Sequence, residues 1–187
     1  QTSVQQVLQE ALMHLCRESI VLTGCGRTDR GVHASDFYAH FDYIPLTKKE
    51  RNHLVGKLNR YFDHNILIYE LYPMQDEAHA RFNAQGRTYQ YHVSQTKQPF
   101  KDAFCYYYPW RLDINKMNQA AALLIGRKDF TSFSKLHTQV NNNICTLTDA
   151  LWEEKDGELV FTIRANRFLR NMVRAVVGTL LAVGRDK

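Results

Sequence analysis

The stretch LTDALWEEKDGELVFTIR, residues 147–164, decides the fold class. Two runs with apolar residues, 147–153 and 158–164, flank the dipeptide Asp156-Gly157. Asp-Gly is one of the strongest signals for a tight hairpin turn, because both residues readily take positive φ angles. The stretch therefore predicts two antiparallel strands joined at residues 156 and 157.

The segments around this hairpin alternate between helical and strand patterns. Apolar residues recur at helical spacing in four segments, residues 3–15, 48–62, 113–125 and 169–180. Four further runs predict strands, at residues 19–23, 37–41, 66–72 and 87–94. Ser3, and Asp113 or Asn115, are candidate N-caps. The order predicts an α+β fold with two similar halves, residues 1–83 and 84–187, of which the first carries the loop described next.

A glycine-bounded loop, GRTDRGVHA at residues 26–34, places Asp29 between Arg27 and Arg30. A carboxylate between two cations after a buried strand is suited to catalysis or to ion pairing. The same pattern also fits a plain turn in which the Asp29 carboxylate accepts backbone N–H groups. The loop alone does not separate these interpretations.

The composition favours an anionic partner without requiring one. The 187 residues carry a formal net charge of +5, and 44% of them are hydrophobic. Clustered Lys and Arg favour a phosphate backbone through counterion release. The four cysteines form no CxxC pair, which predicts free thiols in a reducing compartment. The chain has no apolar run long enough for a membrane span and no signal-peptide pattern, so we expect a soluble, cytoplasmic protein.

Three further segments follow the loop 26–34 in the chain. They are HARFNA with RTYQY at residues 79–84 and 87–91, GRKDFTSF at residues 126–133, and NRFLRNMVR at residues 166–174. Together the four segments resemble the TruA family of tRNA pseudouridine synthases. The resemblance implies the pseudouridine synthase fold, with two α+β halves, mostly antiparallel sheets and a central active-site cleft.

The resemblance also implies roles for individual residues. Asp29 takes the position of the catalytic nucleophile, Arg174 that of the arginine that pairs with it, and Tyr89 that of the tyrosine that stacks on the uracil base. A guanidinium at Arg174 would keep the carboxylate ionised, with a bidentate geometry that lysine lacks. The residues expected to contact the substrate are Arg27, Tyr89, Arg30, His33 and Arg170. Of these, Arg170 is expected on the same helix face as Arg174, four residues before it.

The implied reaction is an isomerisation of uridine to pseudouridine at positions 38, 39 and 40 of the tRNA anticodon stem-loop. The N1–C1′ glycosidic bond breaks and a C5–C1′ bond forms, so neither a redox cofactor nor a metal is expected. The single carboxylate would either attack C1′ or remove a proton to form a glycal. The resemblance further implies a homodimer that binds tRNA across both subunits.

Two other functions remain open at this point. The family normally begins with a strand and a Tyr-Gly-Trp loop and ends with strands beyond the helix of Arg174, and neither lies within residues 1–187. If those segments are absent from the chain, it would be a catalytically incomplete RNA-binding module. A glycoside hydrolase would need a second carboxylate near Asp29, and the four segments offer no such partner.

Overall fold

The computed structural model describes residues 2–135 and 142–187. The chain divides into two compact units. The first contains residues 1–28 and 34–84, and the second contains residues 29–33 and 85–187. The loop segment 29–33 thus belongs to the second unit, whereas the sequence pattern placed it in the first half.

The second unit is built on a five-stranded sheet. Its strands are β3 (Arg87–Ser94), β4 (Tyr106–Tyr107), β5 (Gly126–Asp129), β6 (Ile144–Lys155) and β7 (Glu158–Ala165). Their order across the sheet is β4-β3-β7-β6-β5, and all pairs are antiparallel except β3 with β4. The predicted strand at residues 87–94 and the predicted hairpin are therefore both confirmed.

The hairpin turn explains why β6 and β7 pair in a single register. Asp156 and Gly157 have φ angles of +52° and +76°, and Lys155 pairs directly with Glu158. A two-residue turn with two positive φ angles matches the right-handed twist of the strands it joins. The pairing places Trp152 opposite Phe161 with their rings stacked at 4.9 Å, in the buried core.

Two helices, α3 (Ile114–Ala122) and α4 (Met172–Gly184), share the core of this sheet. Asp113 caps α3, because its side chain accepts the Lys116 N–H. The buried side chains of α4 come at helical spacing and join Phe161 and Ile163 of β7 in one cluster. Gly184, at the end of α4, allows close approach of Met117 on α3.

The first unit contains α1 (Val4–Cys16), α2 (Lys48–Tyr61) and the short pair β1 (Thr23–Gly24) with β2 (Ala39–His40). Its core is formed mainly by Leu12, Ile20, Leu22 and Leu58 with their neighbours. Both helices begin where the sequence indicates. Ser3 caps α1, and a capping box between Thr47 and Glu50 begins α2.

All three predicted strands of the first unit are absent or shorter than expected. The predicted strand 37–41 is reduced to the two residues of β2. Residues 66–72 form no strand, because the side chain of Asn59 on α2 binds both the N–H and the C=O of Ile68. Only Thr23 of the predicted strand 19–23 lies in β1, since Gln5 and Gln9 of α1 bind the backbone of Leu22. Amide side chains thus replace strand partners at both places.

Two expectations from composition concern the cysteines and membrane spans. Cys16, Cys105 and Cys145 are free thiols, as expected. Within the described ranges, no helix combines the length and the hydropathy that crossing a bilayer requires.

Candidate active site

The loop that carries Asp29 ends in a tight turn. The Val32 N–H donates to the Asp29 carbonyl at 3.2 Å, and Gly31 between them has a φ of +80°. A side chain at this position would be strained, because only glycine takes that backbone conformation without cost. The turn holds the backbone at Asp29 while its side chain stays 46% exposed.

The side chain of Arg174 contacts this turn at two points. Its Nε lies 3.9 Å from Asp29 Oδ2, and its Nη2 donates to the Arg30 carbonyl at 3.3 Å. The guanidinium is therefore divided between the carboxylate and the backbone, and the expected bidentate pairing with Asp29 is wrong. One cation thus both faces the Asp29 carboxylate and binds the turn that carries it.

Arg174 lies in the first turn of α4, which begins later than the sequence predicts. The expected helix included Leu169, but Asn171 has a φ of +68° and the helix begins at Met172. Asparagine is one of the few residues that tolerate this left-handed conformation. Arg170 therefore lies in the turn before α4, and the prediction that it shares a helix face with Arg174 is wrong.

Strand β3 presents two tyrosines on one face. Tyr89 pairs with Ile163 and Tyr91 with Phe161 across β7, and both tyrosines are half-buried against the sheet core. The Tyr89 ring meets the Phe168 ring edge to face at 5.2 Å. Since Phe168 comes from the segment just before α4, this contact ties that segment to β3.

Tyr91 is a residue of this region that sequence reasoning did not select. Burial raises the pKa of its hydroxyl, the nearby Tyr106 raises that pKa further, and the positive charge of Arg174 lowers it in part. Arg174 therefore acts electrostatically on β3 as well as on the Asp29 turn. The alternation that places Tyr91 on the face of Tyr89 was visible in the sequence, but not its closeness to Arg174.

The other expected substrate-binding residues lie at different places. His33 is exposed and its ring lies 4.5 Å from the Phe104 ring, centroid to centroid. Arg30 and Arg170 belong to the same unit and are also exposed. Arg27 belongs to the first unit and is exposed there.

The segment GRKDFTSF, residues 126–133, forms β5 and a short 3₁₀ helix, Thr131–Phe133. The Asp129 carboxylate accepts the backbone N–H and the hydroxyl of Thr131, and these bonds lower the pKa of Asp129. Just beyond, the Lys135 N–H donates to the Arg170 carbonyl at 3.1 Å. This segment therefore supports the turn that precedes α4.

Metal ligands were not expected from the sequence. In the part of the chain that the structure describes, no three His, Cys, Asp or Glu side chains are grouped to hold a metal ion. His40 and His79 do lie close together, with ring centroids 4.6 Å apart. Each Nδ1 is already occupied, because it accepts backbone N–H groups of residues 80–82. These two histidines shape a turn.

In chemical terms, the site offers an accessible carboxylate next to a guanidinium, and a sheet face with two tyrosines. A carboxylate in this setting can attack an electrophilic carbon or remove a proton. The arginine can neutralise a phosphate. The aromatic face is suited to stacking on a planar base.

Comparison with known proteins identifies the family of this chain. A family model described as tRNA pseudouridine synthase matches residues 120–187. The tRNA pseudouridine synthase A of Parabacteroides distasonis is 50% identical over 99% of the chain, which spans 73% of that protein. The Bacteroides thetaiotaomicron protein of the same name is 48% identical, and that of Listeria monocytogenes is 38% identical; the chain spans 70% and 75% of them. The chain belongs to the tRNA pseudouridine synthase A family.

Proposed function

We propose that this chain isomerises uridine to pseudouridine in tRNA, with Asp29 as the nucleophile. The observation that carries the proposal is the contact of Arg174 with both the Asp29 carboxylate and the Arg30 carbonyl. The names of the relatives give the reaction class and the substrate class. The geometry gives a carboxylate that is fixed by its turn and open to solvent.

In the first step, Asp29 attacks the ribose C1′ of the target nucleotide, and the N1–C1′ bond breaks. The electron pair of that bond leaves with the uracil ring, which turns so that C5 faces C1′. The C5–C1′ bond then forms and Asp29 is released. Loss of the C5 proton and gain of a proton at N1 complete the isomerisation, so atoms and charge balance with no cofactor. Arg174 faces the Asp29 carboxylate with a positive charge, and their attraction grows when RNA excludes water from the site.

Tyr89 stacks on the uracil ring and limits where the free base can move. Its position on the half-buried face of β3, edge-on to Phe168, supports this role, because a ring held on a strand is more rigid than one on a loop. Arg27 enters the space that the extruded nucleotide leaves in the RNA. A guanidinium suits that position because it both stacks and neutralises phosphate.

The substrate is the anticodon stem-loop, at positions 38, 39 and 40. A single site that serves three neighbouring positions must recognise shape and backbone more than sequence. Arg30, His33 and Arg170 are exposed in the unit that holds Asp29, and we assign them to backbone contacts. The net charge of +5 supports an RNA partner of this kind.

The proposed function also includes an oligomeric state and a cellular location. The chain acts in the cytoplasm as a homodimer, with one tRNA contacting both subunits. Light scattering of the protein with and without an anticodon stem-loop tests the dimer. A particle with the mass of one chain at concentrations that support turnover would contradict it.

The proposed reaction is tested by tritium release from RNA stem-loops that carry a single C5-tritiated uridine. Labels at positions 38, 39 and 40 should each release tritium to water, and a label in the stem far from the loop should release none. Binding without release from any label would identify an RNA-binding module instead of an enzyme. Equal release from all labels would contradict the substrate assignment.

A further inference from the structure

The contact between His33 and Phe104 joins the loop 26–34 to a residue that belongs to none of the four segments that carry the family resemblance. Phe104 is 61% exposed, yet its ring centroid lies 4.5 Å from that of His33 at an interplanar angle of 51°. Tilted ring pairs at this separation are attractive beyond the apolar area that they bury. His33 is four residues beyond Asp29, within the segment 29–33 that packs with the second unit.

Phe104 is itself held by a compact turn, residues 98–105, which we call the bracing turn. The Lys101 carbonyl accepts the N–H groups of Phe104 and Cys105, both at 2.9 Å, and the Lys101 N–H donates to Gln98. Cys105 is buried, and the next two residues pair with β3 as strand β4. The backbone that carries Phe104 is therefore fixed on both sides.

The side chain of Lys101 anchors this turn to the sheet. Its Nζ binds Glu158 Oε1 at 2.5 Å, and the other oxygen of that carboxylate lies 3.0 Å from His92 Nδ1. Glu158 begins β7 and is only 6% exposed, which makes it one of two buried polar side chains in the described core. The buried carboxylate thus connects β3, β7 and the bracing turn.

We propose that Phe104 is a positioning residue that holds the Asp29 turn against Arg174 by packing on His33. Among the described residues of its unit, the Asp29 turn then contacts Arg174 at residues 29 and 30 and Phe104 at residue 33. The contact of Asp29 with Arg174 is long, at 3.9 Å, so it restrains the turn weakly by itself. A second attachment at the far end of the turn limits its rotation away from α4. This inference rests on the proposed function of Asp29.

The test compares Phe104→Ala with Phe100→Ala. Phe100 lies in the same bracing turn and is fully exposed, so its removal controls for the loss of a surface ring. The readouts are the single-turnover rate of tritium release at saturating RNA, the dissociation constant of the stem-loop, and the rate of tryptic cleavage after Arg30. Cleavage at that bond requires the turn to leave its place, and cleavage after Arg17 at the end of α1 serves as a reference.

We expect Phe104→Ala to slow tritium release and to speed cleavage after Arg30, each by roughly 3- to 10-fold, the factor that matches the strength of an aromatic pair. Cleavage after Arg17 should stay unchanged, and RNA affinity should fall by no more than the rate of tritium release does, because Arg30 and His33 contact the RNA from the loosened turn. Phe104→Tyr keeps the ring, so its rates of tritium release and of cleavage after Arg30 should match those of the wild type. Phe104→Leu lacks the ring and should behave like Phe104→Ala. Lys101→Met should act in the same direction, because it releases the bracing turn from Glu158.

Two results would overturn the inference. If Phe104→Ala matches Phe100→Ala in both rates, the ring pair has no positioning role. If Phe104→Ala weakens RNA binding while the saturated rate and the cleavage after Arg30 stay unchanged, the ring contacts RNA directly. A wild-type chain that releases no tritium would refute the proposed function instead, and the cleavage comparison would still decide whether Phe104 holds the turn.

Discussion

Replacing Arg174 with methionine removes the charge that faces Asp29 but keeps most of the side-chain volume. In the free protein this change should affect stability little. The Asp29 and Arg174 side chains are 46% and 52% exposed, so water screens their attraction. At 3.9 Å and the dielectric constant of water, two unit charges attract by about 1 kcal/mol, and measured exposed ion pairs contribute about 0–1 kcal/mol.

The same pair should matter far more once RNA covers the site. With water excluded and an effective dielectric constant of about 20, the attraction at this separation rises to roughly 4 kcal/mol. Loss of that attraction makes the covered complex, in which the carboxylate is cut off from water, less favourable by up to this amount, so the rate should fall by up to about 1000-fold. Arg174→Lys keeps the charge but not the second donor toward Arg30, so its decrease should be closer to tenfold.

These expectations require two measurements on each variant. Urea denaturation gives the free energy of unfolding, and single-turnover tritium release at saturating stem-loop gives the rate. Arg111→Met is the matched control, because Arg111 is an exposed arginine of the same unit with no proposed role. A rate within threefold of wild type for Arg174→Met would refute the reasoning. So would a stability loss above about 3 kcal/mol, which would show that Arg174 is primarily structural.

Three further predictions concern stability. Gly184→Ala should lower the free energy of unfolding by about 1–3 kcal/mol in urea denaturation, because the added Cβ would lie 2.6 Å from Met117 Sδ. Gly178→Ala, on the open side of the same helix, should be neutral or stabilising. Equal losses of stability in the two variants would contradict the packing argument. Hydrogen bonds from Lys101 and His92 lower the pKa of Glu158, so its contribution to stability is complete above the ordinary glutamate pKa of about 4.3 and is lost as the pH falls from there through the lowered value. Thermal melts should show this loss in wild type and not in Glu158→Gln, and parallel pH profiles would contradict it. His79→Ala should lower the free energy of unfolding by about 1 kcal/mol, because the His79 Nδ1 accepts two backbone N–H groups of the following turn. His79→Asn should recover part of this loss, and no recovery would show that the imidazole acts only through packing.

Signals within a few residues of one another predicted most of the fold. Ser3 and Asp113 each cap the helix that the sequence assigned to them, and Asp156-Gly157 forms the predicted hairpin turn. Such features depend on the conformations that one or two residues prefer, which are the same in any fold. The α+β class followed from their order along the chain.

The errors occurred where a distant group determines the local structure. Residues 66–72 have a strand pattern, but the Asn59 side chain forms hydrogen bonds with the backbone N–H and C=O of Ile68. The apolar spacing of Leu169 continues that of α4, but Asn171 interrupts the helix with a left-handed conformation. Hydrophobic periodicity reports which face is buried, and it does not report how the backbone between two buried residues is connected.

The candidate site shows the same division. Asp29, Tyr89 and Arg174 were selected through family resemblance, and the contact between Asp29 and Arg174 is present, although it is looser than expected. Tyr91 and Phe104 were not selected, because their closeness to Arg174 and His33 depends on how the sheet and the bracing turn pack. Contacts of this kind arise from tertiary structure, and no local pattern in the sequence encodes them.

In the proposed reaction, the Asp29 carboxylate performs the chemistry. The most direct test of this role is single-turnover tritium release by Asp29→Asn, with Asp36→Asn as the control, since Asp36 is an exposed carboxylate in the same stretch of chain with no proposed role. Asp29→Asn should show no detectable release with stem-loop binding retained, and Asp36→Asn should release tritium at the wild-type rate. Release by Asp29→Asn within tenfold of wild type would contradict this role of Asp29.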